Sequence, residues 1–150
     1  MQFRNSSRLV ALAVVAVLMG LFIANVVAHE SRLVGDNEYY VTVGYSTEPA
    51  YTDVLNGLDL FLRTPDGEWV PFQEENLSAE LISPDGNAKM DLSIRARYGE
   101  PGQYTADFVL TEPGVYSVRI WGEINGVSFD ETYELDEVTP LSAITFPARD

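Results

Sequence analysis

From Tyr39 onward the sequence alternates. Tyr39, Val41, Val43 and Tyr45 are separated by Tyr40, Thr42 and Gly44, and Leu58, Leu60 and Leu62 by Asp59 and Phe61. Leu77, Ala79 and Leu81 keep the rhythm, as do Met90, Leu92, Ile94 and Ala96 against Asp91, Ser93, Arg95 and Arg97. Then come Tyr104, Ala106, Phe108 and Leu110, next Tyr116, Val118 and Ile120, and last Val127, Phe129, Glu131, Tyr133 and Leu135. Successive side chains of a strand point to opposite faces, so this period demands one face on a core and one in water. Antiparallel sheets meet that demand. No stretch after Ala28 carries a helical period.

The punctuation between the runs agrees. Pro65-Asp66-Gly67 and Pro84-Asp85-Gly86 are turn sequences, proline presetting φ and glycine accepting a positive one. Asn125-Gly126 stands between two alternating runs, the strongest short hairpin signal. EPGQY at 100–104 is echoed by EPGVY at 112–116, which reads as recurrent strand-entry chemistry, each Pro-Gly ending one strand and each tyrosine opening the next. These spacings predict an all-β, immunoglobulin-like two-sheet β-sandwich of about seven strands. Tyr116 matches the tyrosine that anchors a turn at the start of a late strand in such domains. Residues 30–38 read as a leader or edge strand, residues 29–137 as the sandwich, and 138–150 as a C-terminal tail that docks at an edge.

What precedes the sandwich is of another kind. Residues 1–8 carry Arg4 and Arg8 and no acid, and from Leu9 to Ala28 there is no charged side chain. A basic start, an apolar run and the small residues Val26-Val27-Ala28 describe a secretory signal cleaved before His29. The run is also long enough to span a bilayer as an uncleaved N-terminal anchor, since roughly 20 apolar residues suffice. Both readings predict an N-terminal hydrophobic export helix over residues 1–28 and put the remainder outside the cytoplasm, because the basic end stays inside.

Composition then removes classes of function. Nine Lys+Arg face 23 Asp+Glu, a formal charge of −14, and losing residues 1–28 makes the remainder more acidic. That argues against nucleic acid, which demands a basic surface to displace phosphate counterions. There is no cysteine, hence no disulfide framework, thiolate metal site or cysteine nucleophile. No G-x-S-x-G elbow or phosphate-cradling glycine loop occurs, and the many carboxylates give a glycosidase pair no specificity. The expectation is a protein that is not an enzyme.

The most specific feature is positional. Cleavage after Ala28 would make the only histidine, His29, the first residue of the mature chain. Its free α-amine and imidazole Nδ1 would then chelate one metal ion, and copper(II) favours such nitrogen donors. Two nitrogens do not complete a site, so Glu30, Asp36 and Glu38 are candidates for the missing ligands. Met90, the one methionine beyond residue 28, holds a core-facing strand position and offers no copper(I) site. The acids Asp130, Glu131, Glu134, Asp136 and Glu137, and the smaller group Glu74-Glu75, alternate faces without a calcium-loop pattern; solvated edge charges explain them. Trp69, Trp121, Tyr40 and Tyr51 do not all share the core parity, leaving a tryptophan near an edge or a partner patch. Arg95, Arg97 and Arg119 lie on the polar parity and are expected to pair across strands with acids. Asn76-Leu77-Ser78 matches a glycosylation sequon.

The stretches EPAY (48–51), NGLDLFL (56–62), EPGQYTADF (100–108), EPGVYSVRIWGEINGV (112–127) and FDETY (129–133) resemble extracytoplasmic bacterial domains of the FixH and YtkA-like group. More loosely, they are similar to CopC-type copper-resistance proteins. The resemblance implies a small exported or membrane-tethered β-sandwich in a metal-handling or respiratory context. His29 matches the first ligand of the CopC-type proteins; their further histidine and Asp-x-His pattern have no counterpart here. Two functions stay open: an envelope binding or accessory module handling copper through His29, and a metal-free interaction domain, such as an accessory subunit of a membrane complex. A membrane or membrane-protein partner suits both.

Overall fold

The computed structural model describes residues 29–71 and 76–148. The export segment 1–28 and Glu74-Glu75 lie outside the described residues, and among those described no helix is long and apolar enough to cross a membrane.

The alternating runs all become strands: β1 (His29–Val34), β2 (Tyr39–Tyr45), β3 (Leu55–Arg63), β4 (Leu77–Ile82), β5 (Lys89–Asp91), β6 (Arg95–Ala96), β7 (Gln103–Val109), β8 (Gly114–Ile124) and β9 (Val127–Val138). They form two antiparallel sheets, one ordered β1-β2-β3-β7-β6 and the other β5-β4-β8-β9. The architecture is the expected β-sandwich. It has nine strands among the described residues rather than about seven, for two reasons. The leader is a full edge strand, β1. The run from Met90 to Arg97 does not stay in one sheet: it leaves the four-stranded sheet after Asp91 and joins the five-stranded sheet at Arg95.

The core follows the parity read from the sequence. Val41, Val43, Leu58, Leu60, Leu62 and Ala106 from one sheet meet Val118, Ile120, Tyr133 and Leu135 from the other, all buried. Met90 is the exception to its parity. It stands opposite Leu81 in the ladder, on the inner side, yet is 45% exposed. Because β5 is an edge strand and its chain departs to the other sheet, no described residue closes over that side chain.

Local chemistry fixes the connections. Asn125 and Gly126 both take positive φ, 51° and 88°, the geometry of the tight turn that matches strand twist in a hairpin. The Tyr116 hydroxyl donates to the Glu112 carbonyl at 3.0 Å and accepts from the Glu112 N–H at 3.3 Å, so it anchors the entry to β8 as expected. The tail docks on the β2–β3 connection. Thr139 N–H donates to Ala50 O, Thr52 N–H donates to Thr139 O (both 3.0 Å), and Leu141–Ala143 then form one 3₁₀ turn.

Candidate functional site

His29 is the first residue of β1 and stands in register with Gly44 of β2, which is opposite Asp59 of β3. Paired residues share a face, and the neighbours Val43 and Leu60 point into the core, so His29, Gly44 and Asp59 lie in one row on the outer face. Gly44 contributes no side chain to that row. The imidazole therefore lies across β2 and brings Nε2 to 3.9 Å from Asp59 Oδ2. Its ring stacks on Phe61, the next outer residue of β3, with centroids 5.7 Å apart and planes at 22°.

Asp59 is the centre of the cluster. Although it lies on the outer face, only 8% of it is exposed. Its Oδ1 accepts from the Ser46 hydroxyl and from the Arg97 guanidinium. Arg97 is also placed over the Phe61 ring, 5.9 Å from the centroid, and reaches Glu100 at 3.9 Å. Ser46 is held by the β2–β3 connection: Ser46 N–H donates to Gly57 O at 2.8 Å, and the Asn56 side chain accepts from Thr47 N–H and donates to Thr47 O. The row is thus built from three strands and one pinned loop.

The same loop carries Glu48. Its Oε1 is buried and lacks a hydrogen-bond partner, as do His29 Nε2 and the Tyr45 hydroxyl. Burial pushes the Glu48 carboxyl above its ordinary value, and the Asp136 charge adds to the rise. His29 and the Tyr45 backbone N–H act in the opposite direction. Burial also raises the Tyr45 phenol, helped by Tyr116, Asp136 and Glu48. Glu48 Oε1 and the Tyr45 hydroxyl are thus buried without partners, and burial favours the protonated, neutral form of both.

The carboxylates expected beside His29 are not the ones brought there. Asp36 and Glu38 lie in the β1–β2 turn, at the far end of β1 from His29, about 17 Å or more along the strand. Glu30 has the opposite parity and turns toward β9. It accepts from Arg32 Nε at 2.7 Å and from Glu134 N–H at 3.2 Å. Asp59 stands beside the ring instead. Among the described residues no group of three or more His, Asp or Glu side chains is arranged to hold a metal ion. Nε2 faces Asp59 at 3.9 Å, and Nδ1 is the ring nitrogen turned away from that carboxylate. These groups do not form a closed cage.

The other sequence candidates resolve simply. Arg95 pairs with Asp107 at 2.8 Å, Arg97 with Asp59, and Arg119 with Asp130 at 2.6 Å, as expected. Arg119 holds the Asp130 carboxyl below its usual value, and Glu131 reaches Arg32 at 3.5 Å. Trp69 is partly covered, with Arg63 over its face at 3.8 Å and Phe61 at its edge, and Trp121 lies under Arg119. Tyr40 remains 36% exposed on the outer face, opposite Arg63.

No protein-family model matches the chain, and no curated protein matches its sequence. Solved structures do resemble it. A DUF4426 family protein from Pseudomonas aeruginosa PAO1 superposes with a TM-score of 0.57 at 13% identity, covering 75% of this chain and 96% of that one. CopC from Methylosinus trichosporium OB3b gives a TM-score of 0.42 at 17% identity, over 61% of this chain and 81% of its own. The Lin-41 filamin domain gives 0.38 at 17% identity, over 63% and 91%. At 13% identity the likeness to the DUF4426 family protein is one of fold alone.

Proposed function

We propose that this chain is an exported, non-catalytic binding or accessory module of the cell envelope. Its ligand-bearing side chain is His29, and copper(II) is the ion whose chemistry suits it. One observation carries the reading: the imidazole lies over Gly44 with Nε2 toward the buried Asp59. Asp59 faces Nε2 across 3.9 Å without a hydrogen bond, and closing that gap on metal binding would set the tautomer and turn Nδ1 toward the ion. With Nε2 turned toward Asp59, Nδ1 and the α-amine of a chain beginning at His29 are the chelating pair, and water or another protein supplies the remaining ligands. The apolar segment before His29, with arginines ahead of it, supports placement outside the cytoplasm, beside a membrane or a membrane-protein partner.

The second reading is a metal-free interaction domain. It is favoured by Asp59 already accepting from Ser46 and Arg97, which satisfies that carboxylate without a metal.

Mass analysis of the protein recovered from the cell envelope, followed by copper(II) titration, separates the two. A first residue of His29, with binding lost in His29→Ala and weakened about tenfold in Asp59→Asn, supports the copper reading. A different first residue, or equal binding by His29→Ala, removes it and leaves the interaction domain.

A further inference from the structure

The two sheets separate where the chain crosses between them. β5 ends at Asp91 in one sheet and β6 begins at Arg95 in the other, with Leu92 N–H donating to Ala79 O at 2.8 Å to hold the crossing. β6 pairs only with Thr105 and Tyr104, so from Ala106 to Val109 no strand of the described residues lies along the outer edge of β7. β5 is itself an edge strand. Between the β4–β5 hairpin and the end of β7 lies a cleft of 370 Å³, walled by Leu81, Met90, Val109, Leu110 and Tyr116. Met90 and Val109 are 45% and 51% exposed, and Leu55, opposite Val109 in the β3–β7 ladder, is 70% exposed. Apolar surface therefore runs continuously out of the cleft onto the five-stranded sheet, and such patches mark sites of association.

We propose that this cleft docks an extended peptide segment of a partner protein, apolar at alternate positions and flanked by basic residues, which adds as a strand along β5. Two features select that occupant. The backbone edges of β5 and β7 present hydrogen-bonding groups spaced for a strand, and strand addition draws affinity from the main chain and specificity from pockets for alternate side chains. A helix, whose backbone is already bonded internally, cannot use them. The second feature is charge. Asp85 and Glu112 lie at the cleft, while the ammonium of Lys89, the one cation lining it among the described residues, is held by Glu80 at 2.8 Å. The Asp85 carboxyl accepts from the Ser83 hydroxyl and from Asn87, which keep it ionised down to about pH 2. The mouth is thus negative and complements basic flanks.

The test uses the ¹⁵N-labelled protein, purified in the form the cell processes, and synthetic peptides of about eight residues, the length of an ordinary strand. One peptide alternates valine and threonine with a lysine at each end. A second carries glutamate at the ends, and a third is the lysine peptide N-methylated at alternate residues, so that it cannot pair along an edge. The lysine peptide is expected to move the amide resonances of Lys89–Asp91 and Ala106–Val109. The glutamate peptide should bind about tenfold more weakly, and the methylated one should not bind. Met90→Arg, at a half-exposed position that leaves the core intact, should weaken the lysine peptide about tenfold. Leu33→Arg, on the far edge strand, should not. The proposal is overturned by unmoved resonances at millimolar peptide, by shifts confined to other strands, by equal binding of the methylated or glutamate peptide, or by indifference to Met90→Arg.

Discussion

Along one side of the sandwich, Arg32 of β1 donates to the Thr132 carbonyl of β9 at 2.8 Å, reaches Glu131 at 3.5 Å and covers the Tyr133 ring at 4.9 Å. Glu30 accepts from Glu134 N–H beside it. Along the other side no such bridge exists among the described residues; the chain itself crosses between sheets at 92–94, and a cleft remains. A six-residue edge strand beside a twelve-residue one offers enough length for side chains to tie the sheets together. Edge strands of three and two residues, β5 and β6, do not. Short edges protect a sheet against unwanted pairing, but here their shortness also leaves apolar side chains uncovered. One side is fastened by charge; the other is left receptive.

Substitutions that break this contrast should differ in size. Tyr133, wholly buried beneath Arg32, should cost about 3–5 kcal/mol when truncated to alanine, in the range for large core side chains. Met90→Ala, at the same inner parity on the open side, should cost under about 1 kcal/mol, because nearly half of the side chain already meets water. Chemical denaturation measures both, and equal losses would show that the open side is packed after all. Arg32→Ala should fall between them, at about 1–2 kcal/mol. Its exposed ion pairs contribute little, but the bond to Thr132 O and the covering of Tyr133 are lost. Amide exchange in β1 should quicken in that variant while exchange in β5 stays unchanged.

How much of this was legible depended on whether the decisive fact was local. The Asn125-Gly126 hairpin and the Tyr116 anchor are set by neighbours in sequence, and both stood where the residues indicated. The arginine pairings followed from parity and an excess of acids. Asp59 did not: in an alternating strand its position reads as solvent-facing, and only the folded sheet shows Arg97, Ser46 and the His29 ring closing over it. The signal that pointed there was Gly44, a residue without a side chain in the row between the two, and it is recognisable only once the register is known. Asp36 and Glu38 failed as ligands for the converse reason, since nearness in sequence along an extended strand means distance in space. Met90 had the right parity, but parity says nothing about whether a second sheet covers the position.

Acid should distinguish the two sides more gently. Asp85, in the β4–β5 turn, is drawn down to about 2 chiefly by the Ser83 hydroxyl and then by Asn87. Its folded value lies below its unfolded one, so the stability it contributes is present above about pH 4 and is lost as pH falls toward 2. Glu48 works in the opposite sense. Its folded value is raised, mainly by burial, so its contribution is fullest in acid and declines as pH rises past the ordinary carboxylate range. Thermal unfolding between pH 5 and pH 2.5 should therefore show a smaller loss of midpoint in Asp85→Ala than in the parent, and a larger loss in Glu48→Gln. An unchanged profile in both would mean that neither carboxyl is linked to folding.

The smallest effect is expected where a polar atom is buried without use. The Tyr133 hydroxyl has no hydrogen-bond partner, and burial raises its phenol above the ordinary value. Leaving such a group unsatisfied costs desolvation that a phenyl ring does not incur. Tyr133→Phe should accordingly stay within about 0.5 kcal/mol of the parent or gain slightly, in contrast to the alanine variant at the same site. A loss above about 1 kcal/mol, read from the same denaturation curves, would reveal a bound water on that hydroxyl. The closed side would then be fastened by more than Arg32 and Glu30.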